Sequence, residues 1–128
     1  MKSIAPNLMV YNVDDTIEYY KLYFNFNLVA SVPESGDLQW AMLQNGNVTL
    51  MLQDIESIRN EMPYFEDIEP GGGVTLFIQV EEVEKLYEKV KDDVEVISDL
   101  NVTFYGMNEF SVRDLNGFIL TFAERVGE

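Results

Sequence analysis

Apolar and polar positions alternate in two stretches of the chain that read alike. Residues 4–10 carry Leu8 and Val10 on one side and Ala5, Asn7 and Met9 on the other, which predicts a strand. Asp14 or Asp15 then stands where a helix N-cap is wanted. Ile17, Tyr20 and Phe24 follow at helical spacing, so a helix is expected to about Phe24, with Asn25 as a left-handed stop. Residues 27–32 predict a second strand and 33–36 a turn. Residues 38–44 and 47–52 predict a hairpin across Asn45-Gly46.

The same order returns in the second half. A strand is expected over 74–80 and a helix over 83–90, with Val83, Leu86, Tyr87 and Val90 as its buried stripe. Strands over 95–98, 109–113 and 118–122 follow, the last two joined by the turn Asp114-Leu115-Asn116-Gly117. Leu8-x-Val10-x-Asn12-Val13-Asp14 and Ile78-x-Val80-x-Glu82-Val83-Glu84 mark the repeat, about seventy residues apart. The expected class is α+β, a single domain over 1–128 built from two tandem βαβββ modules, 1–52 and 74–128. Between them, residues 53–73 carry six acids against Arg59 alone, with room for a short helix around 55–60. This stretch reads as an acidic linker ending in the hinge Gly71-Gly72-Gly73. No lysine follows the glycines at the spacing a phosphate loop requires.

Period-two alternation assigns the faces. Leu8, Val10, Leu50, Leu52, Leu76, Ile78, Val80, Leu120 and Phe122 form a uniformly apolar face, expected beneath the helices. The opposite positions are mixed: Asn7, Met9, Trp40, Met42, Thr49, Met51, Thr75, Phe77, Gln79, Glu109, Ser111, Ile119 and Thr121. A concave ligand pocket has that composition; so does a half-exposed sheet or a dimer interface. Trp40, the only tryptophan, is out of phase with Ala41 and Leu43 and falls on the mixed side, where it could stack on a flat ligand. Glu109 is the one carboxylate on that side. Among apolar groups it would suit a general base, and at a wet rim it would be an ordinary surface acid. Tyr19, Tyr20 and Tyr23 read as helix packing. Asp14, Asp15, Glu81, Glu82, Asp92 and Asp93 read as caps and solvated surface, since they do not fit a calcium-binding loop.

Composition narrows the chemistry. There is no histidine and no cysteine, which removes disulfides, thiolate metal sites and every triad built on histidine. Eight basic residues against 23 acidic ones give a net charge of −15. Nucleic acid and anionic membranes are poor partners for such a surface, and a cationic small molecule is a suitable one. No apolar run or leader-like order is present, so a cytoplasmic protein is expected.

Two groups of residues resemble a known superfamily. Pro6-x-Leu8-x-Val10-x-Asn12, Tyr19-Tyr20 and Phe24-Asn25-Phe26 are similar to the opening motifs of the vicinal oxygen chelate superfamily. That superfamily holds glyoxalases, extradiol dioxygenases and fosfomycin- and bleomycin-resistance proteins. Tyr105-Gly106-Met107-x-x-Phe110-x-Val112-x-Asp114-x-x-Gly117-x-x-x-Thr121-Phe122 resembles its closing strand pair. Asn12, Asn25 and Leu115 are departures from the usual Asp, Gly and Pro. The resemblance implies a curved mixed-sheet cup with helices outside. It also implies a homodimer, often with modules exchanged between subunits, which the glycine hinge would suit. Four inward positions bind the metal in the superfamily's metalloenzymes, and carried over singly they fall on Ala5, Thr49, Thr75 and Thr121. These are a poor donor set for a divalent ion.

The expectation is therefore a metal-independent binding protein of the bleomycin-resistance type, without cofactor, sequestering a planar or cationic antibiotic-like molecule. Its expected ligand-binding residues are Asn7, Met9, Trp40, Met42, Thr49, Met51, Thr75, Phe77, Gln79, Tyr105, Glu109 and Thr121. The alternatives are a lyase- or isomerase-type enzyme with Glu109 as the candidate catalytic group, and a dimeric regulatory module with a vestigial cavity.

Overall fold

The computed structural model describes residues 1–127, which divide into two compact units, Met1–Pro70 and the remainder from Gly71. In the first unit the order is β1 (Asn7–Val10), α1 (Val13–Phe24), β2 (Asn27–Val32), β3 (Trp40–Asn45), β4 (Val48–Asp54) and α2 (Ile55–Glu61), with a 3-10 turn over Pro63–Phe65. In the second it is β5 (Thr75–Gln79), α3 (Val83–Val90), β6 (Glu95–Val102), β7 (Met107–Arg113) and β8 (Ile119–Arg125). Each unit holds one four-stranded mixed sheet, ordered β1-β4-β3-β2 and β5-β8-β7-β6. The first strand of each unit lies parallel to the last, and the remaining pairs are antiparallel. These are two βαβββ modules, and the class is α+β. Among the described residues no helix is long and apolar enough to cross a membrane.

Burial, more than propensity, holds the helices. A 12-residue helix is marginal alone. Here α1 buries Val13, Ile17, Tyr20 and Phe24, and Tyr20 meets Phe24 and Phe26 edge-on at 6.2 and 5.6 Å. Each such side chain contributes about 1.5–3 kcal/mol, which outweighs the few tenths separating most residues in helix propensity. The apolar face of the first sheet lies beneath α1, with Leu8, Val10, Ala41, Leu43, Leu50 and Leu52 buried. In the second unit α3 packs on Phe110, Val112, Leu120 and Phe122, with the Tyr87 ring 5.1 Å from Phe110. Leu86 and Tyr87 are only half-buried, so Val83 and Val90 anchor that helix.

Several local expectations need correction. The first strand begins at Asn7, not residue 4, because Pro6 has no N–H to extend the ladder; its carbonyl still accepts from Met51 N at 2.9 Å. The cap of α1 is Asn12, whose side chain accepts from Asp15 N at 2.8 Å. Asp14 and Asp15 instead lie in the first turn, where they favour the helix dipole. Asn25 takes the expected left-handed stop, with φ 56°. The hairpin closes on Gly46 and Asn47, since Asn45 pairs with Val48. Gly46 therefore takes the first central position, at φ 57°. The last three strands run longer than expected, over 95–102, 107–113 and 119–125.

Residues 55–69 are ordered within the first unit. Asp54 caps α2, accepting from Glu56 N at 2.9 Å. Arg59 donates to the carbonyls of Phe65 and Ile68 at 3.0 and 2.9 Å and ion-pairs with Glu69 at 3.5 Å. Gly71 is no open hinge position either. A Cβ there would stand 2.8 Å from the backbone of Gly117, whereas Gly72 and Gly73 have nothing within 4 Å.

Candidate functional site

The face of the first sheet away from α1 gathers the six candidates of that half. Register sets Asn7 beside Met51 and Met51 beside Met42 in one row. Met9, Gln53 and Trp40 form the next row, and Thr49 stands opposite Gln44. Trp40, Met42, Thr49 and Met51 are half-buried, Asn7 is exposed and Met9 is buried. Trp40 is thus on the mixed side, flanked along its strand by the fully buried Ala41.

Sequence reasoning missed Gln53, which it assigned to the linker. Gln53 continues the phase of Thr49 and Met51 and is only 6% exposed. Its Oε1 accepts from Asn7 Nδ2 at 2.9 Å. Its Nε2 donates to Ser57 Oγ at 3.1 Å and Glu61 Oε2 at 3.4 Å. Both acceptors belong to α2, so this helix stands against the Met9–Gln53–Trp40 end of the mixed face. A buried amide is tolerated there because both its ends are satisfied. The alternation beyond Leu52 was the available signal.

The mixed face of the second sheet holds the other candidates. Thr75 pairs with Ile119, Phe77 with Thr121, and Gln79 with Ala123. Across the next ladder Glu109 pairs with Ala123 and Ser111 with Thr121. The hydroxyls of Ser111 and Thr121 bond one another at 2.7 Å. Phe77 is 53% exposed. Tyr105, in the loop before β7, donates its hydroxyl to Glu109 Oε1 at 2.7 Å. That bond, followed by burial and the carboxylate's charge, raises the Tyr105 pKa above its ordinary value. Glu109 Oε2 is shielded from solvent and accepts no hydrogen bond from the described residues. Arg113, two pleats along the same face, pairs instead with Glu95 at 3.6 Å.

The two registers also correct one carried-over position. Helix α3 starts seventy residues after α1, at Val83 against Val13. Asn7 pairs with Met51 in one unit and Phe77 with Thr121 in the other, the same offset on both strands. The counterpart of Thr121 is therefore Met51, not Thr49, whose own counterpart is Ile119. The donor set becomes Ala5, Met51, Thr75 and Thr121. A thioether is a soft donor and makes the set no better for a hard or borderline ion. Among the described residues no three His, Cys, Asp or Glu side chains gather as a metal site would need. The same logic equates Trp40 with Glu109, because each faces the residue two beyond Met51 or Thr121. A shallow groove lined by Glu82, Glu84, Lys85, Glu88 and Glu124 lies along α3, on the helix side of its sheet. Glu124 is spent there, accepting from the N–H groups of Glu82 and Val83 at 2.9 and 3.1 Å.

Residues 3–122 match the family model described as Glyoxalase/Bleomycin resistance protein/Dioxygenase superfamily. A protein of unknown function from Agrobacterium tumefaciens str. C58 superposes with TM-score 0.82 at 15% identity, covering 98% of this chain and 95% of that one. A glyoxalase/bleomycin resistance protein/dioxygenase from Nocardioides gives 0.78 at 17% identity, over 100% and 89%. TioX from Micromonospora sp. ML1 gives 0.77 at 19% identity, over 98% and 100%. At these identities the likeness is one of fold. No curated protein sequence matches the chain significantly.

Proposed function

This chain belongs to the glyoxalase/bleomycin resistance protein/dioxygenase superfamily, and on that premise we propose that it binds a flat, cationic organic molecule without a metal and without altering it. The observation that carries this reading is the composition of the mixed faces. One presents Trp40, Met42 and Met51 half-exposed beside a satisfied amide pair, Asn7 and Gln53. Such a surface is apolar enough to desolvate a ring and adaptable enough, through its thioethers, to fit one. Stacking on Trp40 would add about 0.5–1.5 kcal/mol beyond area burial. The donor set at the superfamily's metal positions supplies no carboxylate or imidazole. The net charge of −15 draws cations toward the surface and gives the binding a salt dependence.

Because Trp40 is the sole tryptophan, its fluorescence reports on the face directly. Titration with the planar cation proflavine, in the presence of a chelator, should quench it saturably. Added salt should weaken the binding. Binding that appears only when a divalent metal is restored would refute the metal-independent reading.

A further inference from the structure

We propose that Asn45 is a site of spontaneous deamidation, and that its conversion to aspartate or isoaspartate strips the C-terminal end of α1 of a hydrogen bond. In this reaction the backbone nitrogen of Gly46 attacks Cγ of Asn45. A bond forms between that nitrogen and Cγ, the Cγ–Nδ2 bond breaks, and the nitrogen's proton leaves with the amide as ammonia. Water then opens the cyclic imide at either of its carbonyls, giving aspartate or isoaspartate. Glycine favours the step because it has no Cβ to crowd the attacking nitrogen. Asparagine is counted among the thermolabile residues for such chemistry.

The sequence offers the pair twice, as Asn45-Gly46 and Asn116-Gly117, and the structure separates them. Asn45 and Gly46 are both exposed, and a Cβ built on Gly46 would meet nothing within 4 Å. Asn45 pairs with Val48 at the last rung of the β3–β4 ladder, so fraying of that rung frees the turn. Asn116, by contrast, is 3% exposed, and Gly117 is half-buried. Their backbone nitrogens are engaged: Asn116 N donates to Asp114 Oδ1 at 2.8 Å and Gly117 N to Asp114 O at 3.1 Å. The nitrogen that would attack is thus held in a buried turn, and imide formation there requires that turn to unfold.

The damage at Asn45 has a defined structural consequence. Phe24 closes α1, and its carbonyl is among the last four of the helix, which find no partner within it. Asn45 Nδ2 donates to that carbonyl at 3.0 Å. An aspartate in its place has no N–H to give. Its charge would also stand against a carbonyl oxygen at the negative end of the helix dipole. Isoaspartate lengthens the backbone by one methylene besides, at the turn joining β3 and β4, the strands that carry Trp40, Met42, Thr49 and Met51.

The test is incubation of the intact protein at mildly alkaline pH and physiological temperature, followed by tryptic mass spectrometry. Both sites are read at once, since Asn45 falls in the peptide 22–59 and Asn116 in the peptide 114–125. Asn45 should convert about tenfold faster than Asn116, or more, because fraying costs far less than unfolding a buried turn. In concentrated urea the two should convert at similar rates, because only the shared Asn-Gly pair then remains. Equal rates in the folded protein, or a faster Asn116, overturn the proposal. So does a difference that persists unchanged in urea, which would place its cause in the flanking sequence. For the consequence, Asn45→Asp should melt about 4 °C below wild type, the scale of one lost hydrogen bond. Asn47→Asp, which adds the same charge two residues on, should melt close to wild type. If the two aspartate variants melt alike, the bond to Phe24 is not what the modification costs, and that part of the proposal falls.

Discussion

Replacing Gly71 by alanine should cost much more stability than the same change at Gly72, although the two are neighbours. Both have positive φ, 85° and 77°. An L-residue there loses about 1–2 kcal/mol, partly offset by about 0.4–1 kcal/mol from a stiffer unfolded chain. The net for Gly72→Ala is thus about 1 kcal/mol, since its Cβ meets nothing within 4 Å. At Gly71 the new Cβ would lie 2.8 Å from Gly117 C and O and 2.9 Å from Asn116 O. Carbon contacts are comfortable at about 3.5–4.0 Å, so the turn would have to retreat by roughly 0.7 Å. That turn resists. Asp114 Oδ1 accepts from Asn116 N and Phe118 N at 2.8 and 2.9 Å, and Asp114 N donates to Phe118 O at 2.8 Å. Overpacking of this kind adds about 1–3 kcal/mol, giving a total of about 2–4 kcal/mol for Gly71→Ala. Urea unfolding followed by far-UV circular dichroism measures the difference. Equal effects of the two variants would show that Gly71 does not pack on the turn, and the reasoning would be wrong.

Three further outcomes follow from named contacts. Asp114→Ala strips two buried backbone donors of their acceptor and should cost about 2–4 kcal/mol, whereas Asp114→Asn, which keeps one oxygen, should cost less; thermal melts separate them. Trp40→Ala should weaken binding of a planar cation by about tenfold or more, read by calorimetry, and unchanged affinity would remove Trp40 from the site. Tyr105 should ionise above the ordinary tyrosine range because it donates to Glu109, so its contribution to stability is present below the unfolded pKa of about 10 and lost as pH rises through the folded value. Difference absorbance of tyrosinate, wild type against Tyr105→Phe, should show that late titration, and Glu109→Gln should move it to lower pH.

The fold was largely legible because both modules use strict alternation and a capped amphipathic helix. The helix over Val83–Val90 could be read to the residue, since Val83 and Val90 bracket a stripe of consistent phase. Boundaries failed where a single backbone property decided them. Pro6 stopped a ladder that the side-chain pattern would have extended, and Asn12 outcompeted two aspartates for the cap because its position relative to the first turn was right. Glu82 is the N-cap residue of α3, left-handed at φ 54°, but its side chain makes no capping bond; the carboxylate of Glu124, 42 residues on, takes the N–H groups of Glu82 and Val83, a long-range contact no local pattern encodes. Gln53 escaped notice because a polar residue at the end of a strand looks like the start of a loop. Met51 was missed as the counterpart of Thr121 because spacing in the two halves can be matched only once the ladders are known. Within each sheet the strand candidates lie in one phase, as alternation requires, with Tyr105 in the loop before β7, while the bond from Tyr105 to Glu109 depends on side-chain packing that a linear sequence does not show.

The central claim, a metal-independent binder of a small organic cation, is tested most directly by native mass spectrometry of untagged protein purified gently from its own host. The account predicts a polypeptide carrying an organic adduct of positive charge that survives chelator treatment and is released by salt or displaced by proflavine. A stoichiometric divalent metal, with loss of the adduct when the metal is stripped, would contradict it.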